Sequence, residues 1–409
     1  MNQTHRILPV YTSDVSGVCS ALYELGGLIV MHDPSGCNST YNTHDEIRWY
    51  EKDSLIFISG LTERDAVMGN DEKFYSDVLE TARELKPEFT AITNSPVPYL
   101  TGTDFPALTK KLEKELQIPC FYVPANGMHD YTAGAGKAFA KAAGRLVNEK
   151  YNKPVKRSVN ILGMTPLDYA AKQSSEGIRK VLENAGYKVN SIWAMDDNLE
   201  NISRSGEAEV NLVVSSTGLY AAKKLRERFG TPYVIGTPAG KFTQVLIHEM
   251  EIAQKAGTNT TACLNTGAFL TTACGNHDKQ GKPDSEFRIP NSELTKTNSE
   301  FHIPNSELIL VGEPVIMGSL AAAIRFKYGT DTKVLCPTEI YKGLLCENDI
   351  KVHGEEETQK QLKSAKAVIA DPFYKYICPD DAVFYPMPHL AMSGRIYLKE
   401  MRRLQDLEI

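Results

Sequence analysis

Short apolar runs alternate with amphipathic segments along most of the chain, and this alternation limits the available folds more than any other feature. Gly27-Leu28-Ile29-Val30-Met31, Leu55-Ile56-Phe57-Ile58, Phe89-Thr90-Ala91-Ile92 and Cys120-Phe121-Tyr122-Val123 read as strands. Phe74, Val78, Ala82 and Leu85 fall on one face of an intervening helix that Pro87 stops. A second unit opens with Val159-Asn160-Ile161-Leu162-Gly163. Its helix places Ile178, Val181, Leu182 and Ala185 inward and ends at Gly186. Asn211-Leu212-Val213-Val214 and Tyr233-Val234-Ile235 follow as strands, around a helix from Ala221 to Phe229. A third unit begins at Leu308-Ile309-Leu310-Val311-Gly312. A helix closed by Gly329 follows, then strands at Lys333-Val334-Leu335-Cys336 and Ala367-Val368-Ile369-Ala370. Strands apolar on both faces, separated by helices, demand parallel sheets with crossover connections. The expected fold class is α/β, with three doubly wound parallel-sheet, Rossmann-like domains around a central cleft. The expected boundaries are 1–155, 156–275 and 308–409.

Residues 276–307 interrupt the pattern. Ser285-Glu286-Phe287-Arg288-Ile289-Pro290-Asn291-Ser292-Glu293-Leu294 recurs almost unchanged as Ser299-Glu300-Phe301-His302-Ile303-Pro304-Asn305-Ser306-Glu307-Leu308. Two copies are too few to bury a core between them, so the stretch reads as a repeated surface insertion.

With 409 residues, the chain is too long for one core, and 42% hydrophobic with 23% charged residues is ordinary for a globular protein. A net charge of −6 without a basic stripe argues against a nucleic-acid partner. No apolar stretch approaches the ~20 residues that span a bilayer. Met1-Asn2-Gln3-Thr4-His5-Arg6 lacks the apolar core of a signal peptide. The expected location is cytoplasmic, where the eight cysteines are thiols or metal ligands rather than disulfides. Neither Gly-x-Gly-x-x-Gly nor a P-loop is present, which argues against ATP or dinucleotide binding by this chain.

The chemistry concentrates at Cys37, in His32-Asp33-Pro34-Ser35-Gly36-Cys37. A Gly-Cys after an apolar strand puts a thiolate on a loop that an inorganic cluster can approach closely. Further along comes Gly60-Leu61-Thr62-Glu63-Arg64-Asp65-Ala66-Val67-Met68-Gly69. Together these resemble the nitrogenase component 1 family. There the cluster-ligand Gly-Cys precedes a segment reading roughly Glu-Leu-Thr-Glu-x-Asp-x-Val-x-Gly-Gly. Asn211 to Ser215, Ala221 to Tyr233, Leu310-Val311-Gly312-Glu313-Pro314 and Ala370-Asp371-Pro372-Phe373 extend the resemblance through the chain.

The resemblance implies an oxidoreductase component that accepts electrons from an ATP-hydrolysing iron–sulfur reductase protein. The electrons pass through a cluster held between two component 1 subunits to a substrate in the interdomain cleft. It further implies three family cysteines, of which this chain retains Cys37. Tyr11-Thr12-Ser13-Asp14 occupies the region of the first, and Ser95 or Pro96 that of the third. Ser215 stands where nitrogenase binds its catalytic cofactor through a cysteine. A hydroxyl is a poor ligand for soft metals, so dinitrogen reduction is not expected. The implied cofactor is an iron–sulfur cluster, [4Fe-4S] and shared between subunits, with Cys37 as metal ligand and Asp33, Ser95 and Ser215 as cofactor-binding residues. Two arrangements remain open: a heteromer with a three-cysteine sister chain, or a homodimer bringing two copies of Cys37 together. An unligated, buried Cys37 is the plain structural alternative. A non-catalytic scaffold or partner subunit for metal-cluster assembly is the alternative function.

Weaker candidates are Cys263, Cys274, His277 and Asp278, whose spacing fits zinc poorly. Cys336, Cys346 and Cys378 read as core thiols. His32, His44, Asp45, Glu46 and Arg48 flank Cys37 and could tune a cluster. His389 could face the interdomain cleft.

Overall fold

A computed structural model of the chain describes residues 5–36, 41, 46–170, 172–264, 308–339, 341, 343–401 and 404. Cys37, His44, Asp45, Cys274, His277, Asp278 and the insertion at 276–307 lie outside the described residues.

Three sheets account for the described strands. The first joins β1 (Leu28–His32), β2 (Leu55–Ile58), β3 (Thr90–Asn94) and β4 (Cys120–Tyr122) in the order β2-β1-β3-β4. The second joins β5 (Ser158–Leu162), β6 (Lys188–Ile192), β7 (Val210–Val213), β8 (Tyr233–Ile235) and β9 (Thr260–Thr261) as β6-β5-β7-β8-β9. The third joins β10 (Leu308–Val311), β11 (Thr332–Cys336), β12 (Ile350–Lys351), β13 (Ala367–Ala370) and β14 (Val383–Pro386) as β12-β11-β10-β13-β14. Every ladder is parallel. The expected α/β fold of parallel sheets is borne out. In each sheet the strand order reverses beside its first strand, between β1 and β3, β5 and β7, or β10 and β13. At such reversals crevices open beyond the carboxyl ends of the strands.

The central strands β1, β3, β5, β7, β10 and β13 are buried throughout, as their apolar runs require. On the helix Asp71–Leu85, Phe74, Val78 and Ala82 are buried, but Leu85 is exposed. That helix ends at Lys86, in the left-handed region at φ 49°, one residue before Pro87. Gly230 and Gly329 cap their helices with φ of 74° and 67°, where a side chain is disfavoured.

The sheets share cores rather than standing apart. One apolar cluster runs from Val18 and Phe139 beside the first sheet to Ile202 and Val213 in the second. Another runs from Val159 and Leu212 to Leu310 and Leu320 in the third. Helix Tyr131–Arg145 is seated by a close crossing with Asp14–Leu22. A Cβ on Gly134 would lie 1.8 Å from the Asp14 carbonyl oxygen, and one on Gly17 would lie 2.2 Å from that of Tyr131. Only glycine permits this approach, which points Tyr131 at the junction of the three sheets. Among the described residues no helix is long and apolar enough to cross a membrane.

Candidate functional site

Two sites form at the carboxyl edges of the sheets. At the first, β1 and β3 run in register to His32 and Asn94, so Asp33 and Ser95 emerge side by side where the Cys37 loop departs. The Ser95 amide donates to the His32 carbonyl at 3.3 Å. Ser59 Oγ accepts from the Asp33 amide at 3.1 Å and bonds His32 Nδ1 at 2.8 Å. Asp33 and Ser95 are both buried. Thr93 Oγ1 and Ser95 Oγ have no hydrogen-bond partner among the described residues. A buried hydroxyl without a partner costs on the order of 1–3 kcal/mol, and a ligand offering an acceptor would remove that cost.

His32 does not join this potential ligand face. Its ring lies tilted against Phe74 with centroids 4.0 Å apart, and burial pushes its imidazole down to about 4, with Lys73 adding to the effect. Glu46 and Arg48 are also committed elsewhere. Arg48 donates to both Glu46 oxygens at 2.7 Å, to Glu24 at 3.1 Å and to the Ala194 carbonyl at 2.6 Å. This buried ion group fastens the end of the Cys37 loop to the second sheet.

The second site lies where all three units meet. The side chain of Asp168, in a short helix after β5, is fully enclosed and meets four polar groups. Tyr131 OH reaches Oδ1 at 2.5 Å and His389 Nε2 lies 3.3 Å from the same oxygen. Ser215 Oγ donates to Oδ2 at 2.7 Å and Thr165 Oγ1 does so at 2.9 Å. Glu313, directly after β10, is buried beside it and accepts from the amides of Ser216 and Ile316, each at 2.8 Å. Burial, then the neighbouring Asp168 carboxylate, pushes the Glu313 carboxyl up to about 7. Between them lies a cavity of about 40 Å³, lined also by Met317, Met387 and His389.

Ser215 is therefore held by Asp168, in a different site from Asp33 and Ser95. His389 does reach the cleft. Asp168, Glu313 and Tyr131 do not stand out in the sequence. Glu313 before Pro314 looks like a helix cap, which it also is, and nothing local distinguishes its second role. Cys263 and Cys336 are buried, and burial pushes each thiol up to about 12, as suits core cysteines. No group of three or more His, Cys, Asp or Glu side chains suited to a metal ion exists among the described residues.

Residues 17–252 match the family described as nitrogenase component 1 type oxidoreductase, more than half of the chain. The chain is 28% identical over 222 residues to the nitrogenase molybdenum-iron protein alpha chain of Azospirillum brasilense, covering 50% of this chain and 45% of the relative. It is 25% identical over 224 residues to a subunit of the light-independent protochlorophyllide reductase of Leptolyngbya boryana, covering 52% and 43%. The nitrogenase iron-molybdenum cofactor biosynthesis protein NifE of Nostoc sp. matches at 25% over 183 residues, covering 44% and 37%. The matched stretch thus spans less than half the length of these relatives. The solved structure of nitrogenase Cp1 at pH 6.5 has the same fold, with TM-score 0.56 at 16% identity over 94% of this chain and 70% of that chain.

Proposed function

The chain belongs to the nitrogenase component 1 type oxidoreductases, and on that premise we propose that it is one subunit of a nitrogenase-like reductase complex in the cytoplasm. An ATP-hydrolysing iron–sulfur protein supplies the electrons. A sister subunit completes a [4Fe-4S] cluster to which this chain lends Cys37.

One observation carries the reading. The carboxyl edge of the first sheet, where β1 passes into the Cys37 loop, is ringed by exposed apolar side chains. Val67, Met68 and Leu100 are 79%, 74% and 75% exposed, and Tyr99 and Met128 are also exposed. The helices carrying the first three, Glu63–Met68 and Pro96–Thr101, pack on each other. Gly127 lies against Pro96 and brings Met128 to the same rim. A contiguous apolar rim of this kind is a surface for a partner. At the same edge sit buried Asp33 and the Ser95 hydroxyl, which has no partner among the described residues.

These residues fit a cluster shared with another chain and do not fit one held by this chain alone, since a four-iron centre takes four ligands. When bound, such a cluster supplies one-electron transfer. Cys37 would ligate it, and Ser95 would donate a hydrogen bond toward it. The domain division at 1–155, 156–275 and 308–409 is part of the same proposal, as each segment carries one sheet.

The 40 Å³ cavity at Asp168 favours a second reading. It has room for water but not for a substrate of any size. A subunit whose cleft stays this narrow serves as scaffold or structural partner in cluster assembly, and reduction within the cleft requires it to widen.

The test is anaerobic purification, alone and with candidate sister chains, followed by iron and sulfide analysis and electron paramagnetic resonance after dithionite. A reduced-cluster signal that disappears with Cys37→Ala is the expected result. Signal from this chain alone selects the homodimer. Absence of iron from every combination refutes the cluster reading.

A further inference from the structure

Beyond β14 the chain crosses from one candidate site to the other. Residues 387–401 begin at the crevice, where Met387, Pro388 and His389 complete the wall of the cavity over Asp168 and Glu313. They are tied there by the His389 amide on Asp371 Oδ2 at 2.8 Å and by His389 Nε2 beside Asp168. In the middle of the segment, the Thr12 amide donates to the Ala391 carbonyl at 2.8 Å. At the far end, Arg395 Nη2 donates to the carbonyl of Glu46 at 2.8 Å and its guanidinium lies 5.2 Å from the centre of the Tyr50 ring. Leu398 and Met401 pack in the same small cluster as Ile47. Glu46 to Tyr50 is the turn that ends the Cys37 loop.

The segment is fastened at both sites and buried over the short helix Leu390–Ser393, which packs with Tyr131 and Leu167, and only beyond that helix is it lightly embedded. None of residues 394–400 is buried, the backbone kinks at Tyr397, and Gly394 sits in the left-handed region at φ 58°. Few buried contacts and exposed backbone mark an element that opens more readily than the sheets it lies on. The contrast is strong, because β10 and β13 on the other side of the cavity are buried along their whole length.

We infer that residues 387–401 act as a strap coupling the two sites: movement of the Glu46–Tyr50 turn is carried through Arg395 to His389, which leaves Asp168 and widens the crevice. The narrow cavity is then the closed position of a gate. A ligand entering the opened crevice must offer Asp168 a hydrogen-bond donor in place of the imidazole, and an apolar flank for Ile316 and Met317. The purpose of the gate rests on the proposed function, since a partner seated on the Cys37 face would be what moves the turn. The coupling itself is a property of the fold and does not need the cluster.

Hydrogen-exchange mass spectrometry on the full chain tests it, comparing wild type with Arg395→Gln. Peptides covering 46–52, 164–170 and 308–312 report the turn, the crevice floor and the core strand. The expected result is faster exchange in both 46–52 and 164–170, by about tenfold as for a typical coupling, with 308–312 unchanged. Arg395→Lys, which keeps a donor for the Glu46 carbonyl, should restore much of the protection. Because coupling is reciprocal, His389→Gln should loosen 46–52 in turn, and this arm stands if Arg395→Gln does not fold. A change confined to the mutated end in both variants, or one spread over all three peptides, overturns the strap. A failure to find iron leaves this outcome untouched, so the two readings fail separately.

Discussion

In the Glu313→Gln protein, the loss of stability between pH 4.5 and pH 7 is expected to be smaller than in the wild type by about 3 kcal/mol. Glu313 is fully buried at the three-sheet junction, and its carboxyl is raised from an ordinary 4.5 to about 7 by burial and by Asp168. A carboxyl raised in the folded state holds its proton where the unfolded chain has released it. Its contribution to stability is therefore fully present below pH 4.5 and is lost as the pH rises through 7. From 4.5 to about 7, at about 1.4 kcal/mol per pH unit, the difference is about 3 kcal/mol. Other carboxyls raised by desolvation, the buried Asp14 and Asp371 and the half-buried Asp130 and Asp197, contribute to the wild-type slope as well. They are common to both proteins and cancel in the comparison. The amide of the variant must also face one of the Ser216 and Ile316 N–H groups, which costs stability equally at every pH. The assay is therefore a set of urea unfolding curves at half-unit pH intervals from 4.5 to 8, read as the difference in slope. Parallel pH profiles for the two proteins would refute the reasoning, because they would mean that no linked proton resides at Glu313.

Two further substitutions test what seats the sites. Gly134→Ala drives a methyl into the Asp14 carbonyl at the helix crossing and should cost about 3 kcal/mol or more, seen as a lowered unfolding midpoint. An unchanged midpoint would mean that the two helices can separate at no cost. Arg48→Met leaves Glu46 and Glu24 without their buried cation and should cost about 3–5 kcal/mol in the same assay. A loss below about 1 kcal/mol would show that the ion group is solvated rather than sealed.

The sheets are legible in the sequence where burial is complete on both faces. β1, β5, β7, β10 and β13 are mostly apolar runs, in which the few buried polar side chains such as Asn160 and Asn211 bond to one another, and their limits in the sequence nearly match those in the fold. Strands β6, β9, β12 and β14 are not legible. They lie at or beside sheet edges, where Lys188-Val189-Asn190-Ser191-Ile192 and Thr260-Thr261 mix polar and apolar residues without a clear period. The helices Asp14–Leu22 and Tyr131–Arg145 are equally hard to see. Their many Gly, Ala and Ser residues serve close packing and leave only a faint amphipathic signal. Cys37 stands out through the resemblance of its surroundings, as do Ser95 and Ser215 by position. Asp168 and Glu313 do not. A buried carboxylate is defined by groups brought from other parts of the chain, and no local spacing records them.

The separation of those groups along the chain bears on how the protein is made. Tyr131 and His389, which meet at Asp168, are 258 residues apart. On the ribosome the first two sheets are complete long before the imidazole is translated, so Asp168 waits in a half-built pocket that water can enter. Contacts this distant in sequence are slow to form. The last donor to Asp168 arrives with the third sheet, so the middle of the polypeptide reaches its final state only when the far end has folded onto it.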